Sequence, residues 1–382
     1  MSHSEPGTRG TSGPGAAYAA HKHEIDRAIQ RVLDSGRYIL DEEVEAFERE
    51  YAAYIGVRHA VGTGSGTDAL HLALRACGVG PGDGVITVSH TAVATVAAIE
   101  MCGAVPVLVD VDPRSLTMDP DRLAATLRPG ACPSRIKAVI PVHLYGQPAD
   151  MPALRDVARP HHLHVVEDCA QAHGAALEGR RLGAWGDLAA FSFYPTKNLA
   201  ALGDGGAVLT DDDDMAARLR LLRQYGWRQR YLSEVPGLNS RLDELQAAVL
   251  RVKLGHLDAE NRDRRDLARA YDMALASGPV AGPVTRPGAE HVYHQYVVRT
   301  ERRDSLRRFL ADRGIPTQIH YPVPVHLQPA YRGRVAIGGG GLSVTERLCR
   351  EIVSLPIGPL ETKTRVGQVA AAIAAWGGSD AG

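Results

Sequence analysis

Residues 188–210 read LAAFSFYPTKNLAALGDGGAVLT and contain two predicted strands joined by a loop. The strands cover 188–193 and 207–210, and both are near-continuous apolar runs. Such runs are typical of strands that are buried on both faces of a sheet. The loop carries a lysine, Lys197, in compact aromatic surroundings, and a glycine run follows it at 203–206. This stretch therefore predicts a covered sheet with a polar loop at the end of one strand.

Upstream of that stretch, short β-branched segments alternate with helical ones. Their pattern predicts βαβ units and a mostly parallel sheet flanked by helices, that is, an α/β fold. Two helices precede the alternation: one begins near Tyr18 and ends at Ser35-Gly36, and the other covers 42–55. The further predicted strands are 85–88, 105–111, 138–142 and 163–167.

The C-terminal part has a different pattern, which predicts a small α+β domain. Residues 242–275 read as one or two long helices, and a Pro/Gly-rich loop follows at 278–288. A strand at 292–299 and helices at 302–313 and 363–376 complete the domain. The predicted organisation is a flexible N-terminus (1–16), a large domain (17–255) and a small domain (256–382).

Composition narrows the classes of function. The 382 residues contain 43 Lys+Arg and 44 Asp+Glu, so no nucleic-acid partner is favoured. The five cysteines (77, 102, 132, 169 and 349) include no CxxC pair, which favours reduced thiols in a cytoplasmic protein over disulfides or a metal site. Residues 1–15 lack the apolar region of a signal peptide, and we expect neither export nor a membrane span.

A first candidate for chemistry is the sequence Gly64-Ser65-Gly66-Thr67, which opens a helix. Backbone N–H groups at a helix start bind anions, and glycine lets a phosphate approach closely. A helix cap with a turn explains the residues equally well.

Two further candidates are a carboxylate and an amine. Asp168 ends a hydrophobic strand, where it is suited to hold a protonated pyridine nitrogen; a helix cap is the alternative. Lys197 lies in a loop where desolvation lowers its pKa, and a neutral amine forms a Schiff base; an exposed loop lysine is the alternative. The order phosphate cradle, carboxylate, lysine favours a cofactor site over these separate alternatives.

Here the sequence resembles the DegT/StrS family of PLP-dependent sugar aminotransferases, which have fold type I, a large domain with a mostly parallel sheet and a small C-terminal domain. The resemblance extends over residues 26–376. Its motifs are SGTDALHLAL (65–74), EDCAQAHGA (167–175), FSFYPTKNL (191–199), GDGG (203–206) and NSRLDELQAAVL (239–250).

The resemblance implies pyridoxal 5'-phosphate (PLP) as cofactor and a role for each matching residue. It also implies a homodimer with shared sites. The implied roles are Schiff-base lysine for Lys197, partner of the pyridine nitrogen for Asp168, neighbour of the phenolic oxygen for Gln171, phosphate ligands for Ser192 and the amides of Gly66 and Thr67, and phosphate ligand from the neighbouring subunit for Asn239.

Two positions depart from the family pattern. Ala92 stands where many members have an aromatic residue that stacks on the cofactor. If 87–92 is extended, His90 lies on the same face and is the candidate to stack instead. Ala200 replaces a usual glycine, a change that we expect to be tolerated unless this position needs a positive φ.

The implied reaction moves an amino group from an amino acid, by resemblance L-glutamate, to a sugar ketone, with Lys197 as acid and base. In the related sugar dehydratases, histidine replaces this lysine. The segment IHYPVPVHLQPAY (319–331) resembles that of members acting on nucleotide-linked keto-deoxysugars, often at C3, in amino-sugar and antibiotic biosynthesis. A proline-rich packing loop is the alternative. Candidates for substrate contact are His320, Tyr321 and His326, with His143 and Arg241 as lesser ones.

Two other functions stay open from the sequence. An aminocyclitol aminotransferase would share every cofactor residue and differ in the sugar pocket. A PLP-binding regulator without turnover would need a DNA-binding element, and the sequence has no basic patch or helix-turn-helix signal.

Overall fold

The computed structural model describes residues 13–130 and 135–378. Residues 1–12 of the predicted flexible N-terminus, and Cys132, lie outside these ranges. The helices are α1 (Pro14–Ala20), α2 (Lys22–Ser35), α3 (Glu42–Ile55), α4 (Gly66–Ala76), α5 (Val93–Met101), α6 (Pro120–Thr126), α7 (Met151–Ala158), α8 (Asp213–Leu222), α9 (Glu244–Leu275), α10 (Arg303–Ala311), α11 (Ser343–Glu351) and α12 (Lys363–Gly378).

Each strand that the sequence predicts overlaps one in the structure, although the strand predicted at 138–142 covers Arg135–Val139 and the one predicted at 292–299 covers only Tyr296–Arg299. The strands of the structure are β1 (His59–Thr63), β2 (Asp83–Val88), β3 (Val105–Val109), β4 (Arg135–Val139), β5 (His164–Asp168), β6 (Ala176–Leu177), β7 (Arg180–Arg181), β8 (Leu188–Ser192), β9 (Gly206–Thr210), β10 (Trp227–Gln229), β11 (Leu232–Ser233), β12 (Ala289–Glu290), β13 (Tyr296–Arg299), β14 (Ala336–Ile337) and β15 (Ile352–Leu355).

Eight strands form the main sheet, in the order β1-β9-β8-β5-β4-β2-β3-β14. All neighbours from β8 to β14 are parallel, and β9 alone of these strands is antiparallel to both of its neighbours. The predicted mostly parallel sheet is therefore confirmed. Because parallel strands end at the same edge, Asp168 at the end of β5 lies beside the end of β8.

Helices cover both faces of this sheet, as the apolar strands require. On one face, α3 and α9 pack over a core that includes Phe47, Tyr51 and Phe191. On the other face, α4 packs with α5 and α8 over a core that includes Leu72 and Val166. The site at the sheet edge is thus built on rigid, buried elements.

The small domain has a separate core around the antiparallel pair β13–β15. The long helix α9 is continuous and serves both cores: Leu257 packs in the core of the large domain, and Leu267 packs in that of the small domain. The predicted boundary after residue 255 thus falls inside α9. Among the described residues, no helix combines the length and apolar character that a membrane crossing needs.

Candidate active site

The start of α4 forms an anion site with the end of β8. Ser65 caps the helix, its hydroxyl accepting a hydrogen bond from the N–H of Asp68 at 3.1 Å. A Cβ added to Gly66 would lie 2.4 Å from the Cβ of Ser192, so only glycine permits this approach. The amides of Gly66 and Thr67 therefore lie beside the Ser192 hydroxyl, where a phosphate binds favourably.

Asp168 is buried at the carboxyl end of β5 and is held in a fixed orientation. Its Oδ2 accepts a hydrogen bond from the Thr95 hydroxyl at 2.8 Å, and its Oδ1 accepts one from the Ala170 N–H at 3.1 Å. Burial raises the pKa of this carboxyl, against the effect of these hydrogen bonds and of the Lys197 charge. A carboxylate in this position gains from a cationic partner such as a protonated ring nitrogen. Thr95 carries no motif, and the sequence did not indicate its role.

Lys197 lies in a turn that its neighbours hold firmly. Its N–H donates to the carbonyl of Tyr194 at 2.9 Å. The amide of Asn198 donates to Asn261 on α9 at 2.9 Å and to the carbonyl of Val292 at 3.1 Å. Burial lowers the pKa of the Lys197 amine, and Asp168 opposes this shift. The lysine therefore has a larger neutral fraction than a surface lysine, as nucleophilic attack requires.

Two cavities meet at this lysine. The smaller, about 200 Å³, is lined by the amine of Lys197, the carboxylate of Asp168 and the anion site, and also by Gln171 and Ala92. The larger, about 540 Å³, is lined by residues of both domains, and Tyr194 and Lys197 line both cavities. The small cavity thus offers one group for each polar part of PLP: the phosphate, the ring nitrogen and the aldehyde. Its residues fit this cofactor.

Gln171 connects the small cavity to the small domain. Its Oε1 accepts a hydrogen bond from the N–H of Tyr145 at 2.7 Å, and its Nε2 donates to the hydroxyl of Tyr321 at 3.1 Å. Tyr145 has a φ of 61°, which few residues other than glycine adopt, and its hydroxyl donates to the carbonyl of His320. Tyr145 is therefore a further positioning residue that the sequence did not indicate.

His320 and Tyr321 line the large cavity, where the sequence predicted substrate contacts. The Nδ1 of His320 is 2.8 Å from the hydroxyl of Ser354. Burial, and then the charge of Lys197, lower the pKa of His320, whereas burial raises the pKa of Tyr321 to about 12. Both side chains are therefore neutral hydrogen-bonding groups at neutral pH.

His143 does not contact a substrate, because it is completely buried and both ring nitrogens are engaged. Its Nδ1 accepts a hydrogen bond from the N–H of Ala149 at 3.0 Å, so its Nε2 carries the proton and donates to Glu167 at 3.0 Å. Glu167 also accepts from the amides of Gly183, Trp185 and Gly186. The prediction for His143 is therefore wrong: it is a structural residue. It pairs with the carboxylate of Glu167, which is distant from it in the sequence.

His326 is also placed outside the two cavities. Its ring nitrogens lie 2.8 Å from the hydroxyl of Ser89 and 3.2 Å from Glu346, so it anchors the 3-10 turn Val325–Leu327 to the large domain. The structure thus favours the alternative that this part of residues 319–331 is a proline-rich loop that packs on the large domain.

The hypothesis that His90 stacks on the cofactor depended on an extended backbone over 87–92, and this premise is wrong. Strand β2 ends at Val88, and Ala92 caps α5. His90 is buried, with Nε2 2.9 Å from the Tyr145 hydroxyl, and burial lowers its pKa to about 4. Ala92 lines the small cavity itself. Ala200 is not among the residues with positive φ, which agrees with its tolerance there.

Asn239 and Arg241 flank Ser240 beside the start of α4, but neither lines the two cavities of its own subunit. The hydroxyl of Ser240 accepts from the N–H of Gly64 at 2.9 Å and donates to Asp68 at 2.8 Å. Asn239 is exposed on this surface. Asn239 therefore makes no contact with the site of its own subunit. Its exposure is compatible with the predicted contact to a neighbouring subunit.

The fold and the site together define a fold-type-I PLP-dependent aminotransferase. The chain belongs to the DegT/DnrJ/EryC1/StrS aminotransferase family, which it matches over residues 19–374. It is a sugar aminotransferase.

Three similar proteins support this assignment. The dTDP-3-amino-3,4,6-trideoxy-alpha-D-glucose transaminase of Streptomyces venezuelae is 53% identical over 362 residues, 94% of each chain. The crystal structure of S. venezuelae DesV in complex with a ketimine intermediate has a TM-score of 0.92 and 52% identity, covering 97% of this chain and 99% of DesV. NtdA from Bacillus subtilis, with bound cofactor PMP, has a TM-score of 0.84 and 30% identity, covering 93% of this chain and 82% of NtdA.

Proposed function

We propose that the enzyme transfers the amino group of L-glutamate to C3 of a nucleotide-linked keto-deoxysugar, within amino-sugar biosynthesis. One observation carries the proposal: Lys197 lines both the cofactor-sized cavity and the larger cavity between the domains. The C3 position and the nucleotide are supported by the similarity to the S. venezuelae transaminase, whose name describes a dTDP-linked 3-amino sugar.

Bound PLP supplies an electron-withdrawing ring that makes the proton on the amine-bearing carbon acidic. The protein's own residues would hold that ring in place. The amides of Gly66 and Thr67 and the Ser192 hydroxyl would bind the phosphate, and Asp168 would accept a hydrogen bond from the protonated ring nitrogen. Thr95 and the Ala170 amide keep the carboxylate directed into the cavity.

Lys197 then acts as base and acid. In the half-reaction with the amino acid, its Nζ would take a proton from the substrate carbon and return it to the cofactor carbon; in the half-reaction with the sugar ketone, it would move a proton in the opposite direction. Burial favours the neutral amine, and the Asp168 charge favours the ammonium. The hydrogen bonds of Asn198 fix the loop and therefore the position of Nζ.

The large cavity suits a polar substrate. Its volume, about 540 Å³, is within the range of small-molecule sites. His320 and Tyr321 present neutral hydrogen-bonding groups for sugar hydroxyls. Among the described residues that line it, Arg264 supplies a positive charge that suits a carboxylate or a diphosphate, whereas Glu260 and Glu361 supply negative charge.

The proposal includes a homodimer in which Asn239 reaches the phosphate of the partner's site. Its support is the exposure of Asn239 beside the start of α4, together with its absence from the cavities of its own subunit.

The test is incubation of the PLP-loaded enzyme with L-glutamate and a panel of nucleotide-linked 3-keto and 4-keto sugars, plus a cyclic polyol ketone. Product masses are measured, and Lys197→Ala is the control. We expect an amino product from a 3-keto nucleotide sugar and none from the control. Product from the 4-keto sugar alone would overturn the proposed amination at C3. Product from the polyol ketone alone would establish an aminocyclitol aminotransferase.

A further inference from the structure

Two histidines and two glutamates meet on the surface where α2 packs against α9, away from Asp168 and the phosphate site. His21 and Glu24 lie three residues apart at the start of α2, and His256 and Glu260 lie four residues apart on α9. These spacings place each pair on one face of its helix. The four side chains are called the His/Glu cluster below.

The donor atoms of the His/Glu cluster are already close together. The Nε2 of His21 is 2.9 Å from Glu260, and the Nε2 of His256 is 3.3 Å from Glu24. The ligand atoms of His21, Glu24 and His256 all lie within 4.8 Å of one another. Each of the four side chains is between 15% and 48% exposed, so an ion can enter from solvent.

The two imidazole rings stack with centroids 3.9 Å apart and planes 13° apart. The charge of a divalent ion bound between the nitrogens and the carboxylates is balanced by the two glutamates. One ion cannot lie in the plane of both stacked rings, so binding must turn at least one ring out of the stack.

The chemistry of the donor set selects the ion. Imidazole nitrogens with carboxylate oxygens suit Zn²⁺ and its neighbours in the first transition row, whereas Mg²⁺ and Ca²⁺ prefer oxygen alone. Lys253 and Arg264 interact with the charge of Glu260, so a metal ion must compete with these two cations for that carboxylate.

We propose that the His/Glu cluster binds a Zn²⁺-class divalent ion that fastens the N-terminal helices to α9 at the mouth of the large cavity. Glu260 lines that cavity, as do Pro14 and Ala17 of α1. The ion therefore fixes one wall of the substrate cavity and takes no part in the transfer of the amino group. The sequence does not indicate this site, because His21 and His256 are distant in the chain and no cysteine is part of it.

The test uses untagged, PLP-loaded enzyme that has been stripped of metal with a chelator. Zn²⁺ binding is followed by calorimetry and metal analysis, and Co²⁺ is substituted to report a tetrahedral site by its visible absorption. The variants are His256→Ala and Glu260→Gln. The matched control is His23→Ala, which removes an exposed histidine from the same turn of α2 but outside the cluster.

We expect one ion per chain in the wild-type enzyme and in His23→Ala, with an increase in Tm on adding Zn²⁺. Affinity should fall at least about tenfold to a hundredfold in His256→Ala and Glu260→Gln, since loss of outer-sphere partners alone has effects of that size. Unchanged circular dichroism and cofactor absorbance verify that the variants fold. Absence of binding to wild type, equal binding to His256→Ala, or loss of binding in His23→Ala would each overturn the proposal.

Discussion

At the scale of single residues, the site depends on opposed effects on charge. Burial raises the pKa of Asp168 and lowers that of Lys197, and each group favours the charged form of the other. Hydrogen bonds from Thr95 and Ala170 further favour the carboxylate. A protonated ring nitrogen beside Asp168 completes this balance, because it gives the buried carboxylate a cationic partner.

Asp168→Asn should therefore lower kcat far more than cofactor affinity. Asparagine keeps the shape but loses the charge that holds the ring nitrogen protonated, and we expect a decrease of about two orders of magnitude or more, as for other preorganised electrostatic groups. Thr95→Val, which removes one hydrogen bond and leaves the charge, should lower kcat by about tenfold. Steady-state kinetics and PLP titration measure both. Near-normal turnover of Asp168→Asn would reduce Asp168 to a residue that holds the turn after β5 through the Ala170 amide.

At the scale of elements, the approach of α4 to β8 forms the phosphate site. Gly66→Ala should separate them, because the added Cβ would lie 2.4 Å from that of Ser192. The steric cost of this overpacking is about 1–3 kcal/mol, and it should raise the Kd for PLP by about tenfold or more. Gly367→Ala, in α12 with open space around it, is the control and should leave the Kd unchanged. Equal affinity of Gly66→Ala and wild type would contradict this geometry.

The buried pair of Glu167 and His143 links the end of β5 to the neighbouring loops. Hydrogen bonds from His143 and the backbone amides outweigh burial and lower the pKa of Glu167. Its contribution to stability is thus present above the ordinary glutamate pKa, about 4.3, and is lost as pH falls towards the lowered value.

Glu167→Gln should destabilise the protein by about 3 kcal/mol at pH 7. The NH₂ group of the glutamine would face N–H groups that need an acceptor, so donors would meet donors. The difference in Tm from wild type should narrow in acid, where wild-type Glu167 becomes protonated. Glu42→Gln, at a surface pair whose carboxylate is 79% exposed, is the control with little expected effect. A Tm difference that is the same at pH 7 and in acid would show that the Glu167 charge is not responsible.

The sequence predicted elements more reliably than contacts between distant residues. Helix α3 has the predicted bounds because Gly56 ends it with a positive φ, and the apolar runs located the strands of the main sheet other than β1 and β14. Strand β14 has two residues, too few for any periodicity. The role of His143 was wrongly predicted, and the packing alternative is favoured for His326, because their partners, Glu167 and Ser89, come near only in the folded chain.

At the scale of the whole molecule, the surface beside Asn239 is where we propose that a second subunit binds. The hairpin of β10 and β11 follows α8 and presents Tyr231 and Leu232, which are 76% and 59% exposed. Exposed apolar side chains grouped near a functional residue are typical of an interface.

Mixing two inactive variants tests whether the sites are shared. Lys197→Ala and Asn239→Trp are unfolded, mixed and refolded together. With Asn239 acting in the partner's site, each mixed dimer has one intact site, and random pairing restores about a quarter of wild-type activity. Asn239→Trp must first be shown to be dimeric and inactive alone. No recovery after verified mixing would place the role of Asn239 within its own subunit.

The central claim, that Lys197 binds the cofactor covalently, is tested most directly by borohydride reduction and peptide mapping. The chain has lysines at positions 22, 137, 197, 253 and 363, of which Lys197 alone lines the small cavity. Borohydride fixes the carbon–nitrogen link between PLP and its lysine, and mass spectrometry then locates the added mass. We expect that mass on the peptide containing Lys197 and on no other. Its presence on another lysine, or its absence from every lysine of the PLP-loaded enzyme, would contradict the account.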